Sequence, residues 1–161
     1  RTENETRRKR RADNSAVVYG ELWEVLHNLK ADRVYIVQPH PLGNESMISI
    51  YFESKRKGVE SMKPHIQNLK MSDVAKFCSD LTKNLFMFIT DIDGQVKDDA
   101  QNLALVLRYF ASDNKALSDN NHDWVGSLFC EFTHEAEINE REAHTILHEA
   151  AMNIQLPEFE D

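Results

Sequence analysis

Apolar residues recur along this chain at two spacings, and the spacing switches several times. From Val18 the positions Val18, Leu22, Val25 and Leu29 step by four, three and four residues, which lays them on one stripe of an α-helix over about residues 15–30. Asp13, Asn14 and Ser15 offer capping oxygens at its start, and Ala31-Asp32 ends it. Arg33 to Gln38 is rich in Val, Ile and Tyr and predicts a strand, which Pro39 and Pro41 are expected to stop by removing amide donors. Gly43-Asn44 is a turn signal. Met47 to Glu53 then alternates as a second strand, with Ile48, Ile50 and Phe52 opposite Met47, Ser49 and Tyr51.

Residues 54–69, with Lys55, Arg56, Lys57, Gly58 and Pro64, keep no period and read as a loop with a short turn. Met71 to Leu81 predicts a helix carrying Val74, Phe77 and Leu81 on one side. The continuous apolar run Leu85 to Thr90 has strand length and is expected to be the most buried strand, turning at Asp91-Ile92-Asp93-Gly94. Asp98 to Ala111 returns to helical spacing through Leu103, Val106, Leu107 and Phe110. A short strand near Lys115 to Ser118 and a strand from Trp124 to Phe132 predict a second hairpin. Ala143, Leu147, Ala150 and Ile154 give a last helix the same stepping as the first. The order is helix, two strands, helix, strand, helix, two strands, helix, without internal repeats.

Size and composition limit what this pattern can build. With 161 residues, 41% of them apolar, the chain has one real core and no room for a second. Residues 15–156 form that single domain, residues 157–161 a C-terminal tail, and residues 1–14 a basic flexible tail or an N-terminal extension of the first helix. Net charge is −8, yet RTENETRRKRRA at the start holds six Arg or Lys against two Glu, leaving about −12 for the rest. An acidic body gives no strong nucleic-acid signal, because binding phosphates needs clustered cations. The basic segment reads either as a solvated block or as the cytoplasmic flank of a preceding membrane anchor. Cys78 and Cys130 lack metal-ligand spacing and read as reduced thiols, which predicts a cytoplasmic setting. No run approaches the roughly 18 apolar residues of a membrane-spanning helix.

The element order, the passage from the opening helix into ADRVYIVQ, and the closing unit WVGSLFCEF followed by INEREAHTILHEAAMNI resemble the GAF family of small-molecule sensor domains. The resemblance covers about Val17 to Gln155 and is one of pattern. It implies an α+β fold: a central antiparallel sheet with the terminal helices packed on one face, and middle helices and loops over a pocket on the other. It further implies dimerisation through the terminal helices, with Val18, Leu22, Val25, Leu29, Ala143, Leu147, Ala150 and Ile154 as candidate positions and Trp23 beside them. The features that would name a ligand are missing. Asn114-Lys115 occurs without the downstream Phe and Asp-Glu of cyclic-nucleotide members, and neither Cys78-Ser79 nor Cys130-Glu131 offers the Cys-His of bilin attachment. The several loop cysteines of methionine sulfoxide reductases of this fold are also absent. The cofactor is left unknown.

Candidate ligand-binding residues are Gln38, His40, Tyr51 and Glu53 on or just after the first two strands, with Phe77 on the middle helix and Asp91 in the turn. Each also has a plain reading as a satisfied core or rim group. His144 and His148 lie four apart, as zinc ligands do, but an exposed Glu- and His-rich helical face accounts for them. Asp91, Asp93, Asp98 and Asp99 fit a turn and a helix start better than a cation loop. No Ser-His-Asp or Cys-His set assembles from neighbouring elements, and Gly-rich phosphate loops are absent. The expectation is a non-enzymatic sensory or regulatory domain, binding a small ligand or a protein partner and signalling as a homodimer. The alternative is a ligand-free interaction module of a membrane-anchored or mobile-element (phage-type) protein, whose pocket is filled by Phe52, Phe77 and Phe86.

Overall fold

The computed structural model describes residues 2–42, 45–83, 86–89, 109–113, 126–132 and 137–154. Helix α1 spans Thr2–Asn28, so the basic opening segment is helical. It ends as a Schellman motif with Lys30 in the left-handed region at φ 53°. There the Ala31 amide donates to the Leu26 carbonyl and the Lys30 amide to that of His27. Strands β1 (Arg33–Leu42) and β2 (Glu45–Lys55) form the expected hairpin. A strap of chain follows, containing a 3-10 turn at Lys63–His65, and leads into the short β3 (Leu69–Lys70). A second 3-10 turn at Met71–Val74 opens into α2 (Ala75–Lys83). Then come β4 (Phe86–Ile89), β5 (Tyr109–Asp113), β6 (Ser127–Phe132) and α3 (Glu140–Asn153). Asn139 caps α3 by accepting from the Glu142 amide.

The strands form one antiparallel sheet in the order β3-β2-β1-β6-β5-β4. Helices α1 and α3 cover one face. Their stripes, Val18, Leu22 and Val25 with Leu147, Ala150 and Ile154, bury against Val34, Ile36, Phe52, Leu128, Cys130 and Phe132. The other face carries Tyr35, Val37, Ile48, Ile50 and Phe129 under Met62 and Ile66 of the strap and Val74, Phe77 and Cys78 at α2. The fold is therefore the α+β arrangement expected, with both terminal helices on one side and α2 and the strap on the other.

Four local expectations need correction. The apolar run at residues 86–89 lies at the edge of the sheet; the centre belongs to β1 and β6, and every residue of β6 is buried. Phe110 lies in β5, paired with Glu131, and not in a helix. β5 rather than a strand at 115–118 is what pairs with β6 among the described residues. Pro39 and Pro41 do not end β1, which stays paired with β2 to Leu42. Among the described residues, pairing with β6 runs only as far as Val37. Residues 98–108 and 115–118 and the Gly43-Asn44 turn lie outside the described residues.

Candidate functional site

Alternation along β1 sends Arg33, Tyr35 and Val37 to the face under α2, and alternation along β6 sends Phe129 and Glu131 there too. Arg33 sits opposite Glu131, and Tyr35 opposite Phe129. The rings of Tyr35 and Phe129 stack at 5.2 Å, and Phe77 stacks on Phe129 at 5.9 Å. All three are buried, so the middle of this face is occupied by side chains.

Beside the stack lies a buried ionic cluster. Arg33 and Glu131, both essentially inaccessible to solvent, form an ion pair through Nη2 and Oε1. Arg33 Nη1 also donates to the Glu60 carbonyl of the strap at 2.7 Å. The Glu53 carboxylate accepts from the Met62 amide at 2.7 Å, the Lys63 amide at 3.1 Å and the Ser61 hydroxyl. Asp32, fully buried, pairs with Arg56, whose amide donates to the Asp32 carbonyl. The strap is thus tied to the sheet by charged groups at both ends, and it turns at Gly58, whose φ of 87° suits glycine.

Burial dominates the titration of these groups. Loss of solvent pushes Glu131 up to about 7, although its bond to Arg33 and the Arg33 charge pull the other way. Tyr35 rises well above its ordinary value through burial and then through the Glu131 charge beside it. For Arg33, burial disfavours the cation, but the Glu131 hydrogen bond and charge outweigh it and hold the guanidinium protonated. The Tyr35 hydroxyl lies beside the Glu131 carboxyl.

The sequence-predicted ligand residues do not converge. β2 carries a bulge: Ile36 pairs with Phe52 but Val37 with Ile50, which leaves Tyr51 as the extra residue. The bulge turns Phe52 to the helix-covered face while Ile48 and Ile50 keep the other. Tyr51 also packs against the helix-side core. Gln38 and His40, paired with Ser49 and Met47, share that helix side by alternation. His40 Nε2 meets the Ser49 hydroxyl at 2.8 Å, the Asn68 amide donates to the same oxygen at 2.8 Å, and the His40 ring contacts Tyr51 edge-on at 5.9 Å. Only Glu53 and Phe77 lie on the α2 side. Asp91 lies outside the described residues. Arg33, Tyr35 and Glu131 were missed, although a glutamate inside the apolar strand SLFCEF was a readable signal of a partnered buried charge.

The positions expected to make a dimer contact are spent inside the chain: Val18, Leu22, Val25, Ala143, Leu147, Ala150 and Ile154 are buried in its own core, and Leu29 packs against it. The apolar side chains exposed on the terminal helices are instead Val17, Tyr19, Trp23 and Met152. Cys78 and Cys130 are free, buried and on opposite faces of the sheet. Burial pushes the Cys78 thiol up to about 11 and raises Cys130 further. His144 stacks on Phe86 at 4.4 Å and meets His148 edge-on at 6.1 Å, on the helix side. No group of three metal-binding side chains occurs among the described residues, and no described helix is long and apolar enough to cross a membrane.

No protein-family model and no curated protein matches the sequence. Solved structures do match the fold. The blue-light-absorbing form of the PixJ GAF domain of Thermosynechococcus elongatus is 17% identical over 87% of this chain and 81% of its own, with a TM-score of 0.64. The photoproduct state of GAF3 from Slr1393 of Synechocystis is 19% identical over 84% of this chain and 87% of that one, again at 0.64. A GAF domain/HD domain protein of Geobacter sulfurreducens is 13% identical over 88% of this chain and 92% of that one, at 0.62. With the terminal helices on one face and α2 and the strap on the other, the chain has the fold of a GAF domain.

Proposed function

We propose that this chain is a sensory or regulatory domain without catalytic activity, which receives a small ligand or a protein partner on the face under α2 and signals to a second copy through α1 and α3. The observation that carries this reading is the placement of both terminal helices, α1 and α3, on one face of a single sheet. Any repacking of the α2 face is felt by the terminal helices through one layer of strands. The fold is shared with domains of photoreceptors, which supports a sensory role here. The signal is a shift between two packings, so the ligand or partner must bind one of them more tightly. Tyr19, Trp23 and Met152, exposed on the two helices, are the side chains offered to the copy. The setting is cytoplasmic, in keeping with two reduced thiols. Covalent attachment of a chromophore is no part of the proposal, because burial holds both thiols protonated.

A second reading is favoured by the stack of Tyr35, Phe129 and Phe77. It fills the middle of the α2 face, as an interaction module without a ligand requires, although Phe52 and Phe86 contribute to the opposite face. Native mass spectrometry of protein purified without denaturation separates the two. A dimer carrying an extra small-molecule mass supports the sensory reading, and a bare dimer supports the interaction module. A bare monomer at every concentration would remove both.

A further inference from the structure

We propose that the strap between β2 and β3, residues 56–68, is a lever that holds the β2 bulge in place and through it reports the state of the α2 face to α1. The strap returns along the outer edge of β2. At its far end Leu69 and Lys70 pair with Ile48 and Met47 as a short ladder, and the Asn68 amide donates to the Ser49 hydroxyl at 2.8 Å. At the bulge the ladder gives way to side chains. The Ile50 amide still donates to the Ile66 carbonyl at 2.9 Å, but the Ile50 carbonyl accepts from the side-chain amide of Gln67 at 2.7 Å, which also holds the Lys63 carbonyl at 2.8 Å. Lys63 Nζ donates to the carbonyl of the extra residue, Tyr51, at 3.2 Å, while the Met62 and Lys63 amides go to Glu53. The strap therefore grips β2 immediately before and after Phe52.

What it grips decides a face. Without an extra residue Ile50 and Phe52 would share one side of the sheet. With it, Ile50 stays beneath the strap and Phe52 crosses to the helix layer, buried, with its ring edge-on to Tyr19 of α1 at 5.5 Å. Tyr19 is itself partly exposed, so a shift of its ring reaches the outer surface of α1. The strap is built to lift. Of its residues only Met62 and Ile66 are buried, it turns at Gly58, and the side chains that hold the bulge belong to the exposed Lys63 and Gln67. Such a segment opens at far lower cost than the sheet beneath it. When it lifts, Ile50 and Tyr51 exchange these partners for water, the bulge loosens and Phe52 loses its fixed seat against Tyr19. Coupling of this kind is reciprocal, so a change at Tyr19 returns to the strap. That a ligand or partner on the α2 face works the lever rests on the sensory reading above; the coupling itself needs neither.

Hydrogen exchange and ring-to-ring nuclear Overhauser effects on the whole chain test this without any ligand. Gln67→Ala and Lys63→Met, both at exposed positions, should each speed exchange of the Ile50 amide roughly five- to tenfold, the weight of one hydrogen bond. The same variants should weaken the effect between the Phe52 and Tyr19 rings and move the Tyr19 resonances. Asn139→Ala, which removes the α3 cap at a similar cost away from the bulge, should leave that ring contact intact. In the reverse direction Tyr19→Ala should speed exchange of the Ile50 amide. The proposal is overturned by an Ile50 amide indifferent to the strap variants, by faster Ile50 exchange with an unchanged ring contact, by an equal loss of that contact in Asn139→Ala, or by an Ile50 amide unmoved in Tyr19→Ala. A bare monomer in native mass spectrometry would remove the sensory reading and leave these outcomes as they stand.

Discussion

The two faces of this sheet are buried by different chemistry. Toward α1 and α3 the contact is mainly aliphatic, stripe against strand, and at one end His40 and Asn68 meet on the Ser49 hydroxyl. Toward α2 the core is an aromatic stack bordered by a buried ion pair and a strap held by carboxylates. The lesson is that the helix face is held mainly by apolar contact, while the α2 face depends on matched charges that act as a unit.

The largest effect belongs to the ion pair. In urea unfolding above neutrality, where Glu131 is ionised, Glu131→Gln removes a counter-charge of Arg33 while leaving the guanidinium buried, and should cost roughly 3–5 kcal/mol. Arg33→Met combined with Glu131→Leu should recover most of that loss, since neither charge is then left alone. If the double variant is as unstable as the single, the pair is not the element that distinguishes the two faces. The wild-type pH profile sharpens this. Because folding raises Glu131 from the usual carboxylate range to about 7, its contribution is fully present below the unfolded value and is lost as pH rises through neutrality. The double variant should lack that decline.

Next in size are truncations that leave charge untouched. Phe129→Ala removes the ring between Tyr35 and Phe77 and should cost about 3–5 kcal/mol, and Leu147→Ala on the helix face about 2–5 kcal/mol. Both should appear as lower urea midpoints with similar losses at pH 5 and pH 8. A truncation cost that changes strongly with pH only for Phe129→Ala would show that the stack and the ion pair are coupled.

How much of this could be read from the chain depends on how local each feature is. The stripes of α1 and α3 were legible because a helix writes its buried face into a spacing of three and four residues, and those stripes are in the core. The run Phe86 to Ile89 was misplaced because a continuous apolar strand gives its length but not its position in the sheet. The sides of Tyr51 and Phe52 were misread because a bulge adds one residue and resets alternation without any turn residue to announce it. Arg33 and Glu131 are separated by 98 positions, so no spacing could pair them. Only the oddity of a glutamate within a buried strand pointed to a partner elsewhere.

A smaller effect, and the one that bears most directly on signalling, concerns the outer side of the helix layer. Trp23 is 53% exposed on α1 and rests on His27 at 4.1 Å, while Leu22 beside it is fully buried. Leu22→Glu would place a charge in the core and unfold the chain, so it says nothing about association. Trp23→Glu changes only a solvent-facing ring, and the isolated fold should keep its stability within about 0.5 kcal/mol. If α1 pairs with a second copy through this surface, sedimentation should show the dimer dissociating in Trp23→Glu while urea unfolding under monomeric conditions is unchanged. A dimer indifferent to Trp23→Glu would move the contact off this face. The helix layer would then be a passive cover, and the comparison between the faces would leave the α2 side alone as the responsive one.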